Sequence, residues 1–198
     1  MSLELVIASK NAGKIREIRA IFADLPVAVV ELPGLPDVVE DGDSFRANAV
    51  KKAVQIAKVS KRWALADDSG LEVDALGGRP GIHSARWSGK GDEANNELLL
   101  AELAGVPDEK RTARYRAVVV VATPKGEVVA EADGVFEGRI GHERRGSGGF
   151  GYDPLFVLPW HGKTVAELPS ELKNRISHRA QALERIRAPL TRALAELR

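Results

Sequence analysis

The sequence predicts an α/β protein with a mixed β-sheet, on three observations. Short apolar runs alternate with segments of helical periodicity, one strand is followed at once by turn chemistry and a second strand, and no repeat, heptad or low-complexity linker interrupts the pattern. The hairpin argues against a purely parallel sheet.

Leu3 to Ala8 is an apolar run that stops at a polar loop, and Ile15, Ile18 and Phe22 follow at helical spacing, which reads as strand, loop, helix. Asp43 or Ser44 caps a second helix, in which Phe45, Ala49, Ala53 and Ala57 recur every four residues through Val59. Trp63 to Ala66 reads as a strand entering Asp67-Asp68-Ser69-Gly70. Leu71 to Leu76 continues it until Gly77-Gly78-Arg79-Pro80-Gly81 breaks the pattern, so the acidic pair falls mid-sheet or at a strand junction. Asp92 through Ala104 reads as a helix stopped by Gly105 and Pro107. Tyr115 to Ala122, with its consecutive valines, reads as a strand buried on both faces; Thr123 to Gly126 is a turn and Glu127 to Ala132 the returning strand. Gly146 to Pro154 is too glycine-rich for a helix or strand and reads as a loop before a short strand at Leu155 to Leu158. The last helix starts near the cap Ser177 and carries Leu183, Ile186, Leu190, Leu194 and Leu197 on one face, with Pro189 forcing a kink or a restart.

The length of 198 residues and 44% hydrophobic content suit one domain over residues 1–198, with room for two lobes. Lysine and arginine (29) nearly cancel aspartate and glutamate (28), so no overall field steers the protein to a nucleic acid, and any anion binding must be local. The absence of cysteine removes disulfides and thiolate chemistry and suits a reducing compartment. MSLELVIASKN lacks a signal-peptide pattern, and no apolar run approaches the roughly 20 residues needed to span a bilayer; the expectation is a cytoplasmic protein with no membrane partner.

Four places could carry chemistry. Ser9-Lys10-Asn11-Ala12-Gly13-Lys14 lies between a buried strand and a helix N-terminus, where unpaired amides favour anions. Lys14 in the first turn opposes the helix dipole unless an anion offsets it, although on spacing alone the segment reads equally as a plain capped helix. Glu40, Asp67 and Asp68 form an oxygen-rich set suited to Mg²⁺; successive strand residues face opposite ways, so only one of the aspartates lines a given site, and a turn-capping role stays open. Asn48 and Lys52 share a helix stripe, which could equally be a solvated face. Gly148-Gly149-Phe150-Gly151-Tyr152-Asp153-Pro154, with Lys173 and Ser177-His178-Arg179, offers close backbone approach, a stacking ring and donors; a core role for Phe150 and an exposed His178 remain the simpler readings of each alone. Scattered histidines without cysteine argue against zinc.

With these segments in hand, the chain from Leu3 to about Leu183 resembles the inosine-triphosphate pyrophosphatase family. The resemblance rests on SKNAGKIREI, ADDSGLEVDALGGRPGIHSARWSG, GSGGFGYDPLF and ISHRAQAL in that order. It implies hydrolysis of noncanonical purine nucleoside triphosphates (ITP, dITP, XTP) to the monophosphate and pyrophosphate. It implies a triphosphate held by Ser9, Asn11 and Lys14, with Lys10, Ala12 and Gly13 in the same loop, and by Lys52. Glu40 and Asp68 would hold Mg²⁺, and Asp68 would be the general base. Ser69 would touch the nucleotide and Phe150 would stack on the purine. Gly151 and Tyr152 would contact the substrate, and Asp153, Lys173, His178 and Arg179 would define the base pocket, the last two reading the 6-oxo group. The implied fold is an elongated mixed sheet flanked by helices, two lobes about a cleft, in a homodimer. One departure stands out: where the family commonly has glutamate before Asn-Ala, this chain has Ala47-Asn48-Ala49, which implies fewer carboxylates at the metal. A related Maf-like pyrophosphatase is disfavoured by the SHR segment and the FGYDP loop, and a nucleotide sensor without turnover by the intact Glu40 and Asp68.

Overall fold

The computed structural model describes residues 3–196. Its strands are β1 (Leu3–Ile7), β2 (Val27–Val30), β3 (Trp63–Val73), β4 (Thr112–Ala122), β5 (Val128–Ile140) and β6 (Phe156–Val157), and its helices α1 (Ala12–Ile21), α2 (Phe45–Ser60), α3 (Asp92–Glu102), α4 (Ser170–Ile176) and α5 (His178–Ala195). The strands form one sheet in the order β2-β1-β3-β4-β5-β6. β1 pairs in parallel with β2 and β3, whereas β5 and β6 are antiparallel, so the sheet is mixed, as the sequence predicts. No described helix is long and apolar enough to cross a membrane.

The chain divides into two compact units. The first takes the residues up to Asp68, Ala117–Gly134 and the chain from Arg179 onward; the second takes Ser69–Arg116 and Val135–His178. In the first unit, strand alternation builds two apolar faces. Leu5, Ile7, Leu65, Val119 and Val121 meet Ile15, Ile18 and Phe22 of the α1 region and Leu183, Ile186 and Leu190 of α5. Val6, Ala64, Ala66, Val120 and Ala122 meet Ala49, Ala53, Ile56 and Ala57 of α2, whose small side chains let helix and sheet approach closely. The second unit has its own core, in which Leu71, Val73, Tyr115, Phe136 and Phe156 pack with Leu99 of α3 and with Leu103, which caps its C-terminus.

Most elements fall where the sequence puts them, with physical reasons for the exceptions. β3 passes through the acidic pair without a break and ends at Val73, before a 3₁₀ turn at Asp74–Leu76. β5 runs eight residues beyond the expected Ala132, to Ile140. Its glycines look like loop signals, but Gly138 is there for space: a Cβ would lie 2.4 Å from the Phe156 ring and 2.8 Å from the Val157 carbonyl oxygen. α4 has only seven residues, too few for periodicity to reveal it. α5 continues through Pro189 as one helix rather than restarting. Leu197, assigned to its apolar face, lies outside the described residues.

Gly138→Ala should lower stability by about 1–3 kcal/mol, because the methyl must displace Phe156 or part β5 from β6. A thermal melt against the native protein reads the loss, and an unchanged midpoint would contradict the close approach.

Candidate active site

The alternation that builds the two apolar faces continues into the acidic pair. Leu65 faces α1 and α5, so Asp67, two residues on, faces them as well; Ala66 faces α2, and so does Asp68. Both carboxylates are buried, at 1% and 5% exposure, and each finds cations on its own side.

On the first side, Asp67 accepts from Lys14 Nζ at 2.6 Å and from Arg179 Nε at 3.2 Å, while the Arg179 guanidinium also grips Glu17 on α1. Burial pushes the Asp67 carboxyl up, but Arg179 and Lys14 together outweigh it and hold the group well below the usual carboxylate range. Lys14 is lowered as well: burial, with the nearby Arg179 and Lys52 charges, outweighs the Asp67 partner. The anion that a first-turn lysine requires is therefore Asp67. Asn11 caps α1, its Oδ1 accepting from Lys14 N at 3.0 Å, and Ser9 Oγ accepts from Asn11 N at 3.2 Å. Gly13 is buried and Ala12 exposed in the first turn, while the exposed Lys10 extends to Asp37 at 2.5 Å.

On the second side, Lys52 Nζ of α2 donates to Glu40 Oε1 at 2.7 Å, to the Asp67 carbonyl at 2.8 Å and to Asp68 Oδ1 at 3.2 Å. Burial alone would lower the ammonium, but Asp68 and Glu40 raise it, so it stays charged at neutral pH. For Asp68 burial wins over Lys52 and Lys14, and its carboxyl is raised above the ordinary 3.8. Asp68 Oδ2 is buried and makes no hydrogen bond. That uncommitted oxygen beside a second carboxylate fits a hard cation such as Mg²⁺, which takes one or two carboxylates and completes its shell with water and phosphate. Among the described residues no group of three or more His, Cys, Asp or Glu forms a cage for a metal.

In the second unit Asp153 is the hub. Its Oδ1 accepts from the Tyr115 hydroxyl at 3.1 Å, and its Oδ2 from Lys173 Nζ at 2.6 Å and Phe150 N at 3.0 Å. Lys173 Nζ lies 4.4 Å from the centroid of the half-buried Phe150 ring, which fixes that ring by a cation–π contact. The turn depends on Gly149, where φ is +71° and a Cβ would sit 2.0 Å from Asp153 Oδ2. Gly151 N donates to Asp92 at 2.8 Å and its carbonyl accepts from Asn96 at 2.8 Å, so the N-terminal half of α3 clamps the loop. The Tyr152 hydroxyl donates to the Ser84 carbonyl at 2.7 Å, and burial pushes that phenol up. His178 stacks on Tyr115 with centroids 4.7 Å apart. Ser69, half-buried, is the first residue of this unit on β3.

The model of the Ham1 family matches residues 5–188. The chain belongs to the Ham1 family. A dITP/XTP pyrophosphatase of Geobacillus kaustophilus is 53% identical, with 92% of each chain covered, and one of Anaeromyxobacter sp. is 50% identical, with 98% of this chain and 99% of the relative covered. Among solved structures, a HAM1 protein from Coxiella burnetii superposes with a TM-score of 0.86 at 39% identity, covering 96% of this chain and 99% of that one. The Ham1 protein of Staphylococcus aureus superposes with a TM-score of 0.83 at 42% identity, covering 95% and 98%.

The structure of this Ham1 chain brings together Lys14 with Arg179, Glu40 with Lys52 and Asp68, and Phe150 with Asp153 and Lys173. It separates His178 from Arg179, adjacent in sequence but on different units, the first against Tyr115 and the second on Asp67 and Glu17. Two contributors lay outside the sequence reading. Glu17 falls one turn after Lys14, a spacing that could have marked it; Tyr115 carried no signal beyond being the aromatic of a valine-rich strand.

Asp67→Asn should cost about 3–5 kcal/mol at neutral pH, because the half-buried Lys14 loses its anion and the buried Arg179 loses one of the two carboxylates that it meets. Since folding depresses the Asp67 pKa, its contribution is complete above the ordinary 3.8 and is lost only as pH falls through the lower folded value. Denaturant titrations at several pH values should therefore show a constant deficit above about pH 5 that narrows only in strong acid.

Proposed function

We propose that this Ham1 protein hydrolyses noncanonical purine nucleoside triphosphates, ITP, dITP and XTP, to the nucleoside monophosphate and pyrophosphate, with Mg²⁺, as a cytoplasmic homodimer. The dITP/XTP pyrophosphatase activity for which relatives about half identical over nearly the whole chain are named supports the substrate class. The observation that carries the chemistry is Asp68: buried, raised in pKa and with one oxygen uncommitted beside Lys52.

An ordinary aspartate is a weak base at neutral pH, and raising its pKa brings it nearer the operating range. Asp68 takes the proton of the attacking water as oxygen adds to the α-phosphorus; the bond to the β-phosphate oxygen breaks and pyrophosphate leaves with that electron pair. Lys52 and Lys14 offset charge on the phosphates, and the amides at the N-terminus of α1 donate to them. Glu40 and Asp68 would hold Mg²⁺, which would polarise the phosphate oxygens and stabilise the leaving group. In the second unit Phe150, pinned under Lys173, offers a stacking face for a flat heterocycle. Donors aimed at a 6-oxo group face the amino donor of ATP, and each unpaired buried group costs about 1–3 kcal/mol.

Pyrophosphate release should be fast from ITP and XTP and slow from ATP and GTP, should stop when Mg²⁺ is chelated, and should fall by about 10²–10⁴ in Asp68→Asn. Equal turnover of ATP, or full activity in that variant, overturns the reading. Because the base works deprotonated and its pKa is raised, the acid limb of kcat/KM should lie above the ordinary carboxylate value of 3.8. An acid limb at or below that value would contradict Asp68 as the base.

A further inference from the structure

Glu40 lies in the stretch between β2 and α2, which has no helix or strand to hold it. Its carboxylate nevertheless meets Lys52 at 2.7 Å. Two residues beyond it, Gly42 N donates to Asn48 Oδ1 at 2.8 Å. Asn48 is wholly buried on α2, one turn before Lys52. The fit at this contact is close. A Cβ on Gly42 would lie 2.7 Å from Asn48 Oδ1 and 2.9 Å from the Ala47 methyl, so Gly42 is glycine for space, with no positive φ to require it.

The other half of the Asn48 amide, Nδ2, is buried and makes no hydrogen bond. Leaving a donor unsatisfied carries a desolvation cost that an apolar residue at the same place would avoid. Turning the amide over would set its NH₂ against the Gly42 N–H, donor against donor, so the observed orientation is the one the contact requires. The side chain is used for its carbonyl, and that carbonyl is used on the Glu40 loop. We infer that Asn48 is a positioning residue: with Ala47 it forms a seat for Gly42, and through Gly42 it places the Glu40 carboxylate beside Lys52 and Asp68. Ala47 provides the apolar side of that seat. The inference rests on the reading that Glu40 holds the divalent cation.

The test is Mn²⁺ affinity, measured by electron paramagnetic resonance on the full chain with α,β-methylene ITP, alongside the thermal midpoint. Asn48→Ala, and Gly42→Ala from the loop side, should each weaken Mn²⁺ by about tenfold, the scale of a lost supporting contact. Asn48→Ala should add nothing in a Glu40→Gln background, because the residue acts through Glu40. A merely structural Asn48 would lower the midpoint, leave Mn²⁺ affinity alone and add its effect fully to Glu40→Gln; that result overturns the inference. If Glu40→Gln weakens Mn²⁺ while the Asn48 and Gly42 variants do not, the inference fails alone. If Glu40→Gln leaves Mn²⁺ binding intact, the metal role of Glu40 fails and the inference falls with it.

Discussion

The buried carboxylate of Asp67, shared between Lys14 of α1 and Arg179 of α5, is the contact on which the arrangement around the start of α1 depends. An isolated carboxylate inside an apolar layer costs several kcal/mol, and β3 carries one there only because two cations meet it. Glu17 completes the set by taking the far side of the Arg179 guanidinium. Counted formally, the four groups sum to zero. They tie the first turn of α1, the middle of the sheet and the start of α5 together, so the loop from Ser9 to Asn11 springs from a fixed base. Such a network does less for stability than apolar residues of the same volume could; its use is to hold Lys14 in one place.

The neighbouring residue on β3 faces a different balance. Glu40 and Asp68 against Lys52 leave a formal charge of minus one, with an Asp68 oxygen uncommitted. A neutral cluster is suited to scaffolding and a negative one to recruiting a cation, and the two differ only by the twofold alternation of a strand. On the proposed reading, this is why Asp67 and Asp68 cannot exchange roles although they are chemically identical.

That alternation was readable from the sequence, and so was the conclusion that the aspartates face opposite ways; which of them meets which helix was not, because it depends on the layer each face packs against. The alanines of α2 and the leucines of α5 announced their helices by spacing. β5 concealed its length behind glycines that serve close packing rather than turning, as Gly138 does against Phe156. Asn48 and Lys52 read as one stripe that could have been solvated, and burial decides the matter. Arg179 shows another limit: its motif suggested a partner for the base, and nothing in that motif announced the two carboxylates that its guanidinium meets.

In the second unit rigidity is the recurring theme, and it bears on selectivity. Asp153 accepts from Tyr115, Lys173 and Phe150, Lys173 is held by both the carboxylate and the Phe150 ring, and Gly149 lies so close to Asp153 that no side chain would fit there. A pocket that can rotate its donors away from an ill-matched base loses little by admitting it, because the groups find other partners. A pinned pocket has no such relief, so a 6-amino purine meets nearly the full desolvation cost of every unpaired donor. On the proposed reading, discrimination between ITP and ATP therefore depends as much on the groups that immobilise the pocket as on those that touch the purine. Tyr115 is among the former, donating to Asp153 and stacking against His178.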